Sequence, residues 1–224
     1  MKQYTQILSS FLCYLVIGNL FCACGGDPET ANTNIPTQNN VSPVSQTAVT
    51  PPSGIQGVME VKSTSGDVLI AIDFSQREAV LRYDRGQKTL MSQLKKVGKL
   101  SYFNNKGDIV AIVKQKEDGF KLEDSNEQLL WKVKIKDQKI KISDNAENQG
   151  AYEIKSNETG KYKLKASDET QLGEVKFKDG KVTVKGRETF EISAPANHPA
   201  YAVLLLQDIP EEERMIILSE LLRK

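Results

Sequence analysis

Side chains with intrinsic reactivity are few in this chain of 224 residues, and their positions bound the chemistry it can perform. Its three cysteines, Cys13, Cys22 and Cys24, all fall within the first 24 residues, and Cys24 follows the small residue Ala23 at the end of an apolar stretch. Beyond Cys24 no thiol remains for catalysis, redox exchange or metal binding. The single histidine, His198, directly precedes Pro199, a position that suits a chain corner better than a general base. No glycine-rich phosphate loop, paired-histidine zinc motif or nucleophile elbow occurs. The run Asp144-Asn145-Ala146-Glu147-Asn148 lacks the ligand spacing of an EF-hand, and runs of Asn and Asp favour turns. No metal or cofactor is therefore expected. Carboxylates are the one group left that could support hydrolysis.

Other chemistry-bearing positions belong to the ends and faces of elements. Lys2 supplies a positive charge, residues 7–21 are mostly apolar, and Ala23 precedes Cys24, the order of an export signal with its cut before Cys24. The Leu20-Phe21-Cys22-Ala23-Cys24 stretch resembles the lipobox of bacterial lipoproteins, although Phe21 stands where Leu is commonest and Cys22 fills a position usually held by a small residue. The resemblance implies removal of residues 1–23, acylation of Cys24 with more than one chain, and an exported protein held on a membrane of the bacterial cell envelope. Two or more acyl chains make such attachment durable. An uncleaved membrane helix, near the lower limit of about 17 residues, and ordinary secretion are the alternatives. Gly18, Asn19 and the Ser9-Ser10 pair argue against the helix.

Residues 24–57 then shift to Asn, Thr, Gln, Ser, Pro and Gly, which cannot bury enough apolar surface to fold. They form a tether, whose root-mean-square reach is on the order of 30 Å. With 30 Lys and Arg against 29 Asp and Glu and a pI near 7.6, no global field draws the chain to nucleic acid.

From residue 58 short alternating runs closed by Gly, Asn and Asp predict about a dozen antiparallel strands, in a meander or barrel: 68–74, 79–84, 100–103, 109–114, 120–123, 129–136, 139–143, 152–155, 162–165, 173–178, 181–185 and 190–193. Asp179-Gly180 is the strongest hairpin signal among them. Residues 119–154 and 161–192 form an internal repeat, in which 119–143 aligns without gaps on 161–185. Leu122 matches Leu164, Val133 matches Val175 and Asp137 matches Asp179. Period two places Leu129, Trp131, Val133 and Ile135 on one face and Lys132, Lys134 and Lys136 on the other. With Lys176 and Lys178 of the second copy, these lysines are the candidate polyanion-facing residues. Anionic lipid headgroups, worth about 1 kcal/mol per lysine near a charged surface, are one candidate ligand and a protein partner another. Against this stands a solvated face whose lysines discourage edge pairing, since residues 119–185 hold 14 Lys and 12 Asp or Glu.

At the C-terminus Pro199 starts a helix through Tyr201 to Gln207. Asp208 with Glu211 predicts a capping box for a second helix, whose Met215-Ile216-Ile217-Leu218, Leu221 and Leu222 are apolar around too much of the circumference for a surface helix. It must be buried in or against the sheet. Strands such as 119–124 and 130–134, closed by the apolar segment from Ile209-Pro210 to Leu222, resemble the tubby-like superfamily, which includes phospholipid scramblase and LURP-one-related proteins. That resemblance implies a β-barrel wrapped around a C-terminal helix, with membrane-proximal binding or a structural role. Three readings follow: a lipid-anchored binding or structural domain, a barrel holding a small apolar ligand in a cavity lined by Trp131, Val133 and Ile135, and a carboxylate-based hydrolase.

Overall fold

The computed structural model describes residues 57–76, 78–157, 160–193 and 197–224. The expected signal, Cys24 and all of the tether before Gly57 lie outside them. Fourteen strands follow in chain order: β1 (Val58–Ser63), β2 (Val68–Asp73), β3 (Val80–Tyr83), β4 (Lys88–Lys96), β5 (Lys99–Asn104), β6 (Ile109–Lys116) and β7 (Gly119–Glu123), then β8 (Leu129–Lys136), β9 (Lys139–Ser143), β10 (Tyr152–Ser156), β11 (Tyr162–Lys165), β12 (Gln171–Lys178), β13 (Lys181–Lys185) and β14 (Thr189–Ile192). Each strand pairs with its sequence neighbours, and β1 also pairs antiparallel with β14, so the meander closes into a barrel.

Period-two alternation explains the strands. Val133 of β8 faces Phe120 of β7 and Ile142 of β9 across the ladder, and all three are buried. Asp179 and Gly180 both take positive φ, 51° and 75°, as a type I′ hairpin turn requires. Because consecutive strands are antiparallel, the turns alternate between two ends. The end where the chain arrives at Gly57, here the entry end, holds the β4–β5, β6–β7, β8–β9, β10–β11 and β12–β13 turns. The opposite, far end holds the remaining turns after odd-numbered strands.

A barrel of this many strands is too wide for its own side chains to fill. Two C-terminal segments occupy it. The 3₁₀ helix Pro199–Leu205 starts at His198, whose Nδ1 accepts a hydrogen bond from the Ala200 backbone N–H at 3.1 Å, and Ala200 to Leu204 are buried. Leu205 packs on two glycines: a Cβ on Gly173 would lie 2.4 Å from Leu205 Cδ1, and one on Gly186 would lie 2.7 Å from Leu205 Cδ2. After a turn at the far end, α1 (Glu211–Leu222) runs back, with all eight residues from Met215 to Leu222 buried. Burial around the whole circumference is what its apolar sequence demands. The expected capping box does not form. Pro210 is the N-cap and no side chain caps the helix, while Asp208 accepts a hydrogen bond from Tyr152 Oη at 3.3 Å.

Leu218 has no exposed surface, so Leu218→Ala should cost about 2–5 kcal/mol in urea unfolding. Val97→Ala, at a side chain 88% exposed, should stay within about 0.5 kcal/mol of the parent. Equal effects at the two positions would place α1 outside the core.

Candidate functional site

Three places could carry function: the barrel interior, the cavities at its ends and its outer wall. From the exposed far-end mouth to the buried interior, the polar side chains of α1 are engaged by strands around the barrel. Trp131 Nε1 donates to Glu213 at 2.5 Å, Tyr83 Oη donates to Glu212 at 3.3 Å, and Lys88 pairs with Glu211 at 3.2 Å. Near the other end of α1, the fully buried Glu220 accepts from Tyr102 Oη and Gln115 Nε2, each at 2.5 Å. Arg223 lies 3.6 Å from Glu220 and donates to Ser92 Oγ at 3.1 Å, and the same hydroxyl accepts from the Ala79 N–H at 2.7 Å. Burial pushes the Glu220 carboxyl above its ordinary value, against the opposing pull of Arg223. Glu220 lines neither of the two end cavities, which makes it a fastening for the helix and leaves it without access to substrate.

The entry-end cavity, of about 370 Å³, is bordered by Ile135, Gln138, Tyr162, His198, Leu221 and Lys224. Burial lowers the His198 imidazole to about 4, so at neutral pH the ring is uncharged, and its Nδ1 is committed to the helix start. A far-end cavity of about 220 Å³ is bordered by Trp131, Tyr152, Asp144 and Asp208. Trp131 and Ile135 thus line cavities at opposite ends, and Val133 between them is buried in the core. The turn after β9 is tied by Asn145, whose side chain accepts from Gln149 N at 2.9 Å and donates to Gln149 O at 2.8 Å. Among the described residues no group of three or more His, Cys, Asp or Glu is placed to hold a metal ion.

The outer wall has the most unusual chemistry. Strands β6 to β13 carry fifteen lysines and three glutamates, and the acidic residues of this region are otherwise in turns. Ladder register sets lysine directly against lysine. Lys136 opposes Lys139, Lys139 opposes Lys155, and Lys155 opposes Lys163, a rung of four across β8 to β11. A second rung, Lys99, Lys114, Lys121 and Lys132, crosses β5 to β8. Like charges directly opposite one another destabilise a sheet.

Carboxylates relieve the two rungs unequally. In the second rung Glu127 pairs with Lys99 at 2.8 Å and Lys114 at 2.7 Å, and those lysines hold it down to about 2; Glu123 adds a 2.6 Å pair to Lys114. In the β8–β11 rung the ion pairs come from Glu153 alone, which pairs with Lys155, with Lys139 at 3.2 Å and with adjacent Lys141 at 3.9 Å, while Glu174 of β12 stands opposite Lys163 in the ladder but pairs with Lys176. Burial raises the Glu153 carboxyl, but hydrogen bonds from Lys155 and Lys139 outweigh it and hold it below its ordinary value. Lys136 and Lys163 have no ionic partner among the described residues.

The candidate lysines divide accordingly. Lys132, Lys134 and Lys136 share the outer face of β8, but Lys134 pairs with Asp118 at 3.5 Å and Lys132 donates to the Ala146 carbonyl. Lys176 pairs with Glu174, whereas Lys178 opposes Lys181 beside the β12–β13 turn. Lys139, Lys155 and Lys163 were not singled out by sequence. Their signal was present in the tight turn at Asp137-Gln138, which obliges Lys136 and Lys139 to face each other. Comparison with protein-family models, curated proteins and solved structures finds no match to this chain.

Two outcomes test these assignments. A pKa raised in the folded state above its unfolded value gives stability that is present at low pH and lost as pH rises through the folded value. Glu220→Gln, neutral throughout, should therefore gain stability relative to the parent between about pH 5 and pH 8 in urea unfolding. A difference that is flat or falls with pH would mean an ionised Glu220 paired with Arg223. Glu153→Gln, which strips the β8–β11 rung of its shared carboxylate, should lower the melting temperature most at low salt, where repulsion among the lysines is least screened.

Proposed function

We propose that this chain is a lipid-anchored, exported domain of the bacterial cell envelope that binds through its outer wall and performs no catalysis. The observation that carries this reading is the opposed-lysine rung Lys136–Lys139–Lys155–Lys163 on a barrel whose interior is occupied by its own C-terminal segments. Closure between β1 and β14 leaves no sheet edge, so lysines in the middle of the ladder are not needed to block edge-to-edge pairing. An arrangement that weakens the sheet and guards no edge is accounted for by a ligand that supplies the missing negative charge. The Cys24 signal and the tether support a location on a membrane surface, as does the resemblance to tubby-like proteins.

The barrel fold is compatible with ligand binding as well, and the 370 Å³ entry-end cavity is where a small molecule would sit. That cavity is bordered by Lys139, Lys224 and Asp137 as well as apolar side chains, which suits an amphiphile with a polar head better than a purely apolar ligand. A membrane-spanning barrel is a different matter. It needs an apolar outer band, and the lysine-bearing wall is the reverse of that pattern.

Mass spectrometry of the protein extracted from membranes should find an N-terminal peptide that begins at Cys24 and carries acyl mass. Recovery of an intact, unmodified peptide spanning Ala23 and Cys24 would contradict the anchor.

A further inference from the structure

We propose that the barrel docks by its entry end, with the β8–β11 shoulder leading, onto the anionic surface of the same bilayer that holds its anchor. The inference rests on the tethered reading above and adds a partner and an orientation to it. Three observations converge on the entry end. First, the rung lies there: Lys136 closes β8, Lys139 opens β9, Lys155 is the penultimate residue of β10 and Lys163 the second of β11. Second, the chain joins the barrel at this end, at Gly57, so the tether delivers this end toward the membrane. Third, the most exposed large apolar side chain, Val97, projects from the same end, whereas Val68 and Ile109 at the far end are 40% exposed. Val97, 88% exposed, tips the β4–β5 turn beside Lys95 and Lys96, and Phe177, 42% exposed, stands next to the opposed Lys178 and Lys181.

The far end has the opposite character. Its turns hold Asp144, Glu147, Asp168 and Glu169, and the first turn of α1 adds Glu212 and Glu213. An anionic surface therefore attracts one end of the barrel and repels the other, which sets orientation as well as affinity. Acidic residues do occur in the entry-end turns, Glu78 after β2 and Glu117 and Asp118 after β6, but Asp118 pairs with Lys134 at 3.5 Å, Asp137 sits between Lys136 and Lys139, and Asp179 between Lys178 and Lys181. The attraction of each lysine to a charged bilayer decays within a Debye length of about 8 Å. Contact must consequently be close, and the tether of roughly 30 Å reach keeps the local concentration of membrane high enough to maintain it. Val97 and Phe177 would enter the headgroup layer, where apolar side chains flanked by lysine are favoured.

The test uses the full acylated chain in vesicles, with one environment-sensitive dye attached through Gln138→Cys at the entry end or Ser167→Cys at the far end. Lipid-borne quenchers should quench the Gln138 probe in phosphatidylglycerol-rich vesicles but not in phosphatidylcholine, and should leave the Ser167 probe bright in both. High salt should abolish the difference, and so should a triple variant, Lys136→Glu, Lys163→Glu and Lys178→Glu. None of these three lysines has an ionic partner among the described residues; Lys136 and Lys178 each face a lysine across the ladder and Lys163 stands between Lys155 and Glu174, and an unchanged thermal melt confirms that the variant is folded. Flotation separates the two claims. A chain that floats with both vesicle types while neither probe responds to lipid charge would overturn docking and leave the anchor standing. One that floats with neither would overturn the anchor itself. Quenching of the Ser167 probe instead would reverse the proposed orientation.

Discussion

A closed fourteen-stranded barrel has to be filled, and the last residues of the chain do the filling. Eight-stranded barrels pack their interiors with strand side chains alone; at fourteen the space demands additional elements. Here the 3₁₀ helix runs from the entry end toward the far end, and α1 returns. This single constraint explains the absence of a polar face on α1, the two glycines that admit Leu205, and the ring of strand side chains that reach inward to Glu211, Glu212, Glu213 and Glu220. It also imposes an order on folding. The β1–β14 seam joins residues more than a hundred positions apart, and the helix that fills the barrel follows β14, so the native contacts are strongly non-local.

With the interior occupied, the binding proposed above falls to the outer wall. The wall invests in repulsion: two rungs of four lysines stand shoulder to shoulder in the ladder, one relieved by Glu123 and Glu127, the other by Glu153 alone. Random scatter of the same lysines and glutamates over the face would give equal solubility with less strain. Placement, more than net charge, carries the functional signal. The formal charge of the whole chain is only +1, and the compensating carboxylates sit in turns and on the first turn of α1.

Much of this architecture is written in the sequence. Leu129–Lys136, Lys139–Ser143, Tyr162–Lys165 and Lys181–Lys185 are strands with the bounds that alternation predicts, because each has an unbroken apolar row facing inward. Two strands were missed for physical reasons. On β4 the inward row contains Ser92, whose hydroxyl serves Ala79 and Arg223, so the apolar period breaks where the core accepts a polar group. On β1 the register slips after Val61, and its partner β14 lies at the other end of the domain, beyond any local signal. Burial of α1 followed from its composition, but its start did not: Asp208 is drawn off to Tyr152, and Pro210 takes the N-cap. For the wall, period two revealed that lysines share a face. Which lysines oppose one another depended on pairing across β8 to β11, and only Lys136 with Lys139 could be read from a turn.

The central claim is that α1 belongs to the core and is not a removable plug or lid. Hydrogen exchange under native conditions tests it most directly. Backbone amides of residues 215–222 should exchange only through global unfolding, as slowly as those of β8 and β9. Fast exchange of these amides in a barrel whose strands stay protected would contradict the account, since it would mean that the helix leaves and the interior opens without the fold being lost.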